Sequence, residues 1–251
     1  MISVIICSID DSRFHAVTRT YEVALRGQEY EIIRIPDARS MAEGYNRGIT
    51  RSNGDLLIFS HDDLEILSPI GEKLVARMQQ FDLLGVAGTT LLVTGRWISA
   101  GPPHLYGQVA VLPPNQEKYD LLLWSVPAPV VSNIQALDGL FICAKRTVAE
   151  QIRWDEETFK RFHLYDIDFS YAAYLAGYKL AVACDFDVVH FSYGKFDEQW
   201  QAEMLKFNQK YRRRLPRYLP PEWTGTHVVV RSKEELVRAM TPPHFPSSAS
   251  A

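Results

Sequence analysis

The chain is poor in cysteine, has no long apolar run and carries no charge imbalance. Each absence removes a class of function. The three cysteines among 251 residues, Cys7, Cys143 and Cys184, are odd in number, far apart and set in apolar runs. They exclude a disulfide framework and read as reduced core thiols of a cytoplasmic protein. No stretch approaches the roughly 18 uncharged apolar residues needed to cross a bilayer. The apolar start, Ile2 to Cys7, is too short for a secretory signal and has no basic leader. Lysine and arginine number 27 against 30 aspartate and glutamate, a net charge of −3. Nucleic acid therefore has no electrostatic claim on the chain. No internal repeat is present. The composition that remains, 47% apolar and 23% charged, is that of an ordinary globular protein.

The first half alternates strand and helix signals. Residues 2–7 form a continuous Val/Ile run, which predicts a buried strand. Spaced apolar residues over 14–25 predict a helix ending near Gly27. Strands follow at 30–35 and 55–60, helices at 40–50 and 69–81, and further strand material at 83–93. Such alternation predicts a mostly parallel sheet with right-handed crossovers. Residues 95–135 are dense in glycine and proline and predict a long irregular excursion, a candidate acceptor lid or a plain surface insertion. Regular signals return as strands at 137–144, 179–184 and 187–191, a helix at 162–176 and an amphipathic helix at 196–211. The domain expectation is a catalytic unit over 1–195. The amphipathic helix and a Pro/Ser-rich tail with a frayed end follow over 196–251.

The candidate chemistry centres on Asp62 and Asp63, which follow the apolar strand at 55–60. Carboxylates at the carboxyl end of such a strand lie where open α/β sheets bind ligands. Two adjacent ones suit a hard divalent cation and the diphosphate it carries. They point in different directions, so one reaches the metal and the other a ribose or a neighbouring loop. His61 beside them is a ligand or a structural histidine. Asp37, at the tip of the second strand, contacts a ribose or base, or else belongs to a helix N-terminus. Asn46 and Gly48 allow a loop-carbonyl bond and a close backbone approach. Asp166 and Asp168 open a helix, where the dipole favours negative charge. One of them can instead accept a proton from an attacking hydroxyl. Their spacing of two puts them on different faces. His190 ends a strand and is a core histidine or a ligand suited to Mn2+. Lys210, Arg212 to Arg214 and Arg217 form a basic cluster, either a solvated helix end or a peripheral contact with anionic lipid at the inner face of the membrane.

In order, these pieces resemble the GT-A fold glycosyltransferases of the family 2 type. They are Ser3-Val-Ile-Ile6, Asp37 to Ser40, Asn46-x-Gly48, the aspartate pair, Leu137-Asp-Gly139, Tyr165-Asp-Ile-Asp168 and His190. The similarity covers about residues 2–192, and His61-Asp-Asp63 with His163 to Asp168 is most like a bacterial family 2-like subgroup. It implies a Rossmann-like, three-layer α/β/α fold with a mixed, mostly parallel sheet. It also implies inverting transfer of one sugar from a nucleoside-diphosphate sugar, UDP-sugar favoured, to a hydroxyl of a glycan, lipid-linked or protein acceptor, assisted by Mn2+ or Mg2+. Under it Cys7, Ser8, Asp37, Asn46 and Asp62 would serve the donor nucleotide. Asp63 and His190 would bind the metal, and Asp166 would be the general base. Asp138, Gly139, Tyr165 and Asp168 would border the acceptor. The chain departs from the family's pattern at His61, where an Asp is usual, and at Cys7-Ser-Ile9, where Pro-Thr-Tyr is usual. It also lacks the motif of processive synthases, which implies a single-transfer enzyme rather than a membrane-embedded polymerase. Two rivals remain at this point, a sugar-nucleotide nucleotidyltransferase or phosphohydrolase, and a degenerate module that binds without catalysis.

Overall fold

A computed structural model describes residues 1–216 and 226–240. The chain starts with strand β1 (Ile2–Cys7), fully buried but for its last residue. Helix α1 (Asp11–Ala24) follows, capped by Asp10, which accepts from the Arg13 amide. Next come β2 (Tyr30–Ile35), α2 (Met41–Arg51), β3 (Leu56–Ser60), β4 (Leu64–Ile66) and α3 (Gly71–Met78). Strands β5 (Leu83–Gly85), β6 (Ala87–Thr89), β7 (Leu105–Val111), β8 (Tyr119–Leu123), β9 (Val130–Val131), β10 (Ala136–Leu137) and β11 (Phe141–Lys145) occupy the middle. The remainder holds α4 (Arg146–Ile152), α5 (Tyr165–Leu175), β12 (Leu180–Ala183), β13 (Val188–His190), α6 (Glu198–Lys210), β14 (Thr226–Val230) and α7 (Lys233–Met240).

The main sheet runs β2-β1-β3-β11-β5-β12-β9. Strands β2, β1, β3, β5 and β12 point one way, while β11 and β9 run against their neighbours. This is the mostly parallel sheet the alternation predicted, and its two reversed strands make it the mixed sheet the resemblance implied. Successive residues of β1 face opposite layers, as pleating requires. Ile5 packs with Met41, Tyr45 and Ile49 of α2 and Phe169 of α5. Val4 and Ile6 pack with Val17 and Tyr21 of α1 and Leu74 of α3. Helix α2 lies unusually close to β1 because position 48 is glycine, and a Cβ there would overlap Ile5. The carboxyl ends of β1, β2 and β3 share one edge, which carries Ser8, Asp37 and His61 to Asp63.

A second sheet runs β10-β6-β7-β13-β4, with β8 added to β7 and β14 to β8. It corrects the expectation of an irregular segment at 95–135. Strands β7, β8 and β9 lie inside it, with a 3-10 turn at Trp97–Ala100. The prolines fall between these elements, at 102–103, 113–114, 127 and 129, so they punctuate strands rather than forbid them. The run at 83–93 divides into two strands that join different sheets, and 137–144 is split by the turn Asp138-Gly139-Leu140. The segment after α6 is more regular than expected, adding β14 and α7. Arg217 and the Pro/Ser-rich residues 241–251 lie outside the described residues.

The cysteines are free thiols. Among the described residues no helix is long and apolar enough to cross a membrane. The basic cluster loses one member: Lys210 turns inward to Asp155 and Asp168, leaving Arg212 to Arg214 exposed.

Candidate active site

Three local connections build the site. Strand β3 ends at Ser60, and the chain turns through His61-Asp-Asp63 into β4. Antiparallel pairing of β4 with β13 sets His190 opposite Leu64, and the Phe191 amide donates to the Asp63 carbonyl at 2.9 Å. His190 Nε2 thereby lies 3.2 Å from Asp63 Oδ1, and Ser192 Oγ donates to Asp63 Oδ2 at 2.7 Å. On the other side β11 pairs with β3, and the His61 amide donates to the Leu140 carbonyl at 3.2 Å. The third link is Gly139, whose amide donates to Asp166 Oδ2 at 2.8 Å. A Cβ on Gly139 would sit 2.7 Å from Asp166 Cβ and 2.8 Å from the Tyr165 hydroxyl, so only glycine permits this contact.

His61, Asp63 and His190 place one ligand atom each within 4.8 Å of one another. The Tyr165 hydroxyl hydrogen-bonds His61 Nε2 at 2.7 Å, and His61 Nδ1 lies 3.8 Å from Asp63. Such outer bonds orient a ligating imidazole. Burial, and then the neighbouring His190, lower the His61 pKa and keep its ring neutral, the form that coordinates. Burial pushes the Asp63 carboxyl upward. The His190 hydrogen bond, chiefly, and the Ser192 hydroxyl outweigh it and hold Asp63 well below the carboxylate range. The site therefore offers the Asp63 carboxylate and a neutral His61 imidazole, with the His190 ring 3.2 Å from Asp63.

Asp166 behaves oppositely. Burial first, and the Asp138 charge second, raise its pKa from 3.8 to about 7 against the pull of backbone amides. It sits in the first turn of α5, just after Leu164, whose φ of 60° is unusual for a leucine. Asp138 accepts from the Leu140 amide at 3.0 Å and from Trp97 Nε1 at 3.1 Å. Burial, then Asp166 and Asp138, push the Tyr165 phenol well above its usual value, so it remains a neutral hydroxyl.

Two cavities of about 300 Å3 meet here. One is lined by Cys7, Ser8, Asp62 and Asp63, the other by Asp138, Gly139, Asp166 and His190, and His61 and Tyr165 belong to both. Asp62 lies 3.8 Å from Arg13 Nη1. Burial, and then Glu43, push the Cys7 thiol up to about 12, so it lines its cavity as a neutral group.

Three expected site residues do other work. Asn46 is buried and holds both backbone groups of Trp154, donating to its carbonyl at 2.9 Å and accepting from its amide at 3.1 Å. It is a structural clamp between α2 and the loop after α4. Asp168 faces away from the cavities on its helix and bonds Lys210 Nζ at 2.6 Å and the Tyr211 hydroxyl at 2.9 Å. Asp37 is 70% exposed, is absent from both cavity linings and pairs with Arg47 at 2.6 Å. Ser40, not Asp37, caps α2. Conversely, His61 joins the ligand cluster that the sequence suggested for Asp63 and His190. The signal was its adjacency to the aspartate pair, and the Tyr165 bond that aims it is invisible in sequence.

The profile of a family described as "Glycosyltransferase like family" matches residues 3–216. The chain belongs to that family. No curated protein matches it. Among solved structures it is similar to the mannosyltransferase PcManGT from Pyrobaculum calidifontis, solved in complex with GDP-Man and Mn2+. Identity is 11% and the TM-score 0.48, over 88% of this chain and 66% of that one. It is also similar to GalNAc-T7, solved with UDP, GalNAc and Mn2+, at 11% identity and a TM-score of 0.51, over 83% of this chain and 47% of that one. The chain thus spans about two thirds of the first neighbour's length and about half of the second's. The glycosyltransferase-like chain has the GT-A fold.

Proposed function

We propose that the chain transfers a single sugar from a nucleoside-diphosphate sugar, UDP-sugar favoured, to an acceptor hydroxyl with inversion at the anomeric carbon. One arrangement supports this most: the His61/Asp63/His190 cluster and the Asp166 carboxylate border two cavities that share His61 and Tyr165 as a common wall. A donor diphosphate fits the Asp62/Asp63 side and an acceptor fits the Asp166 side. GalNAc-T7 was solved with UDP and Mn2+, and this donor chemistry is carried over as part of the proposal.

The donor set fits a divalent ion. Two imidazoles beside a carboxylate suit Mn2+ better than Mg2+, which prefers oxygen ligands. When bound, the ion offsets negative charge building on the leaving diphosphate. His61, Asp63 and His190 would hold it, with Tyr165 fixing the His61 ring. Gly139 N–H holds Asp166 Oδ2 and so sets the plane of the carboxylate. Asp166 takes the acceptor proton as the oxygen attacks, and a pKa near the working pH suits a general base. Because His61 joins the cluster, the departure from the usual aspartate does not favour a degenerate binding module.

A thermal-shift panel of nucleoside diphosphates with and without Mn2+ tests the reading, because a ligand that binds only the folded state raises the melting point. We expect a UDP shift that needs Mn2+ and disappears in His61→Ala. Asp166→Asn is expected to keep that shift and lose sugar transfer. Normal turnover by Asp166→Asn would remove the base assignment.

A further inference from the structure

The cavity that holds Asp166 is walled mainly by carbon. Val109, Val111, Leu122, Trp124, Phe196 and Trp200 are among its lining residues. Its polar groups are largely engaged with one another. Both Asp138 oxygens accept bonds from Leu140 and Trp97, Ser192 serves Asp63, the Tyr165 hydroxyl serves His61, and the Tyr193 hydroxyl serves Asp120. A wall that recognised a free sugar would need several uncommitted polar groups to bond its hydroxyls, since placed polar groups are what orient a ligand in an apolar pocket. Here the uncommitted groups carry positive charge. Arg96 and Lys195 are exposed and line the cavity, and among the described residues neither forms an ion pair. Arg96 lies over the Phe196 ring at 5.4 Å. Phe162 and Phe196 stay 53% and 55% exposed, so the lining also leaves large aromatic surface open to water.

We infer that the acceptor is an amphiphilic phosphate: an apolar body lies against the carbon wall, its phosphate meets Arg96 and Lys195, and its hydroxyl reaches Asp166. This rests on the transferase reading of the same cavity and names the acceptor class within it. Guanidinium and ammonium groups bond phosphate oxygens strongly where water is partly excluded.

The test titrates the full chain with octyl phosphate below its micelle threshold, octyl glucoside, inorganic phosphate and methyl glucoside. Tryptophan fluorescence reports binding, because Trp97, Trp124 and Trp200 line the cavity. Octyl phosphate is expected to bind at least tenfold more tightly than each of the others. The paired change Arg96→Gln with Lys195→Gln is expected to bring it to the level of octyl glucoside. Equal affinity for octyl glucoside would overturn the anionic part, and equal affinity for phosphate or methyl glucoside would overturn the apolar part. An unchanged double variant would overturn the assigned cations. The UDP and Mn2+ thermal shift separates the two readings: octyl phosphate binding without any UDP shift refutes the transferase, while a UDP shift without octyl phosphate binding refutes only the acceptor class.

Discussion

Replacing Asp166 by asparagine should make the protein more stable at high pH while abolishing transfer. The carboxyl's pKa is raised in the folded state from 3.8 to about 7. A rise of about three units corresponds to about 4 kcal/mol. The sign follows from linkage: the folded state holds this proton more tightly than the unfolded chain, so stability falls as pH climbs from the unfolded value to the folded one. Asparagine keeps the shape and its amide oxygen can accept the Gly139 bond, but it never ionises. The stability advantage of Asp166→Asn should therefore grow by about 3 kcal/mol between pH 5 and pH 8. Urea denaturation of both proteins in EDTA at the two pH values measures it directly. An advantage that does not change with pH, or a variant less stable than its parent at pH 8, would refute the account of a carboxylate strained by burial and Asp138. The same pKa predicts that transfer by the parent falls as pH drops below about 7, because the base must be ionised.

Gly139→Ala would press a methyl into Asp166 and the Tyr165 hydroxyl. A loss of about 1–3 kcal/mol in stability and a transfer rate reduced by roughly 100-fold are expected from calorimetry and product assays. Lys210→Met would strand the buried Asp168 carboxylate and should cost about 3–5 kcal/mol in urea titrations at neutral pH. Asn46→Ala would leave the Trp154 amide unpaired and take one of two bonds from its carbonyl, which also accepts from the Glu156 amide, and should destabilise by about 1–3 kcal/mol. The folded Asn46→Ala variant should show an unchanged UDP affinity by calorimetry.

The alternating first half was legible because β1 and β3 are continuous apolar runs, and continuity is what burial on both sheet faces demands. The tip position of Asp62 and Asp63 followed from that alone. The second sheet was not legible: β7 and β8 are interleaved with prolines, and strand β4 is three residues long, too short for any period to register. Asp166 and Asp168 show the limit within the site. Sequence spacing separated their faces, but which face meets a cavity depends on α6 docking Lys210 and Tyr211 against Asp168. The clamp made by Asn46 was hidden for a related reason, since its partner Trp154 is 108 residues away.

The pairing of β4 with β13 has a consequence for biosynthesis. His190 arrives beside Asp63 only once residues 188–190 have been laid against 64–66. A growing polypeptide that has emerged only as far as α5 already owns Asp62, Asp63 and Asp166, yet cannot offer a cation all three side chains of the cluster. Capture of a cation by all three side chains would thus be reserved for molecules whose second sheet has closed. A dissolved ion would then be a late lock on the finished fold rather than a trap for partly folded chains.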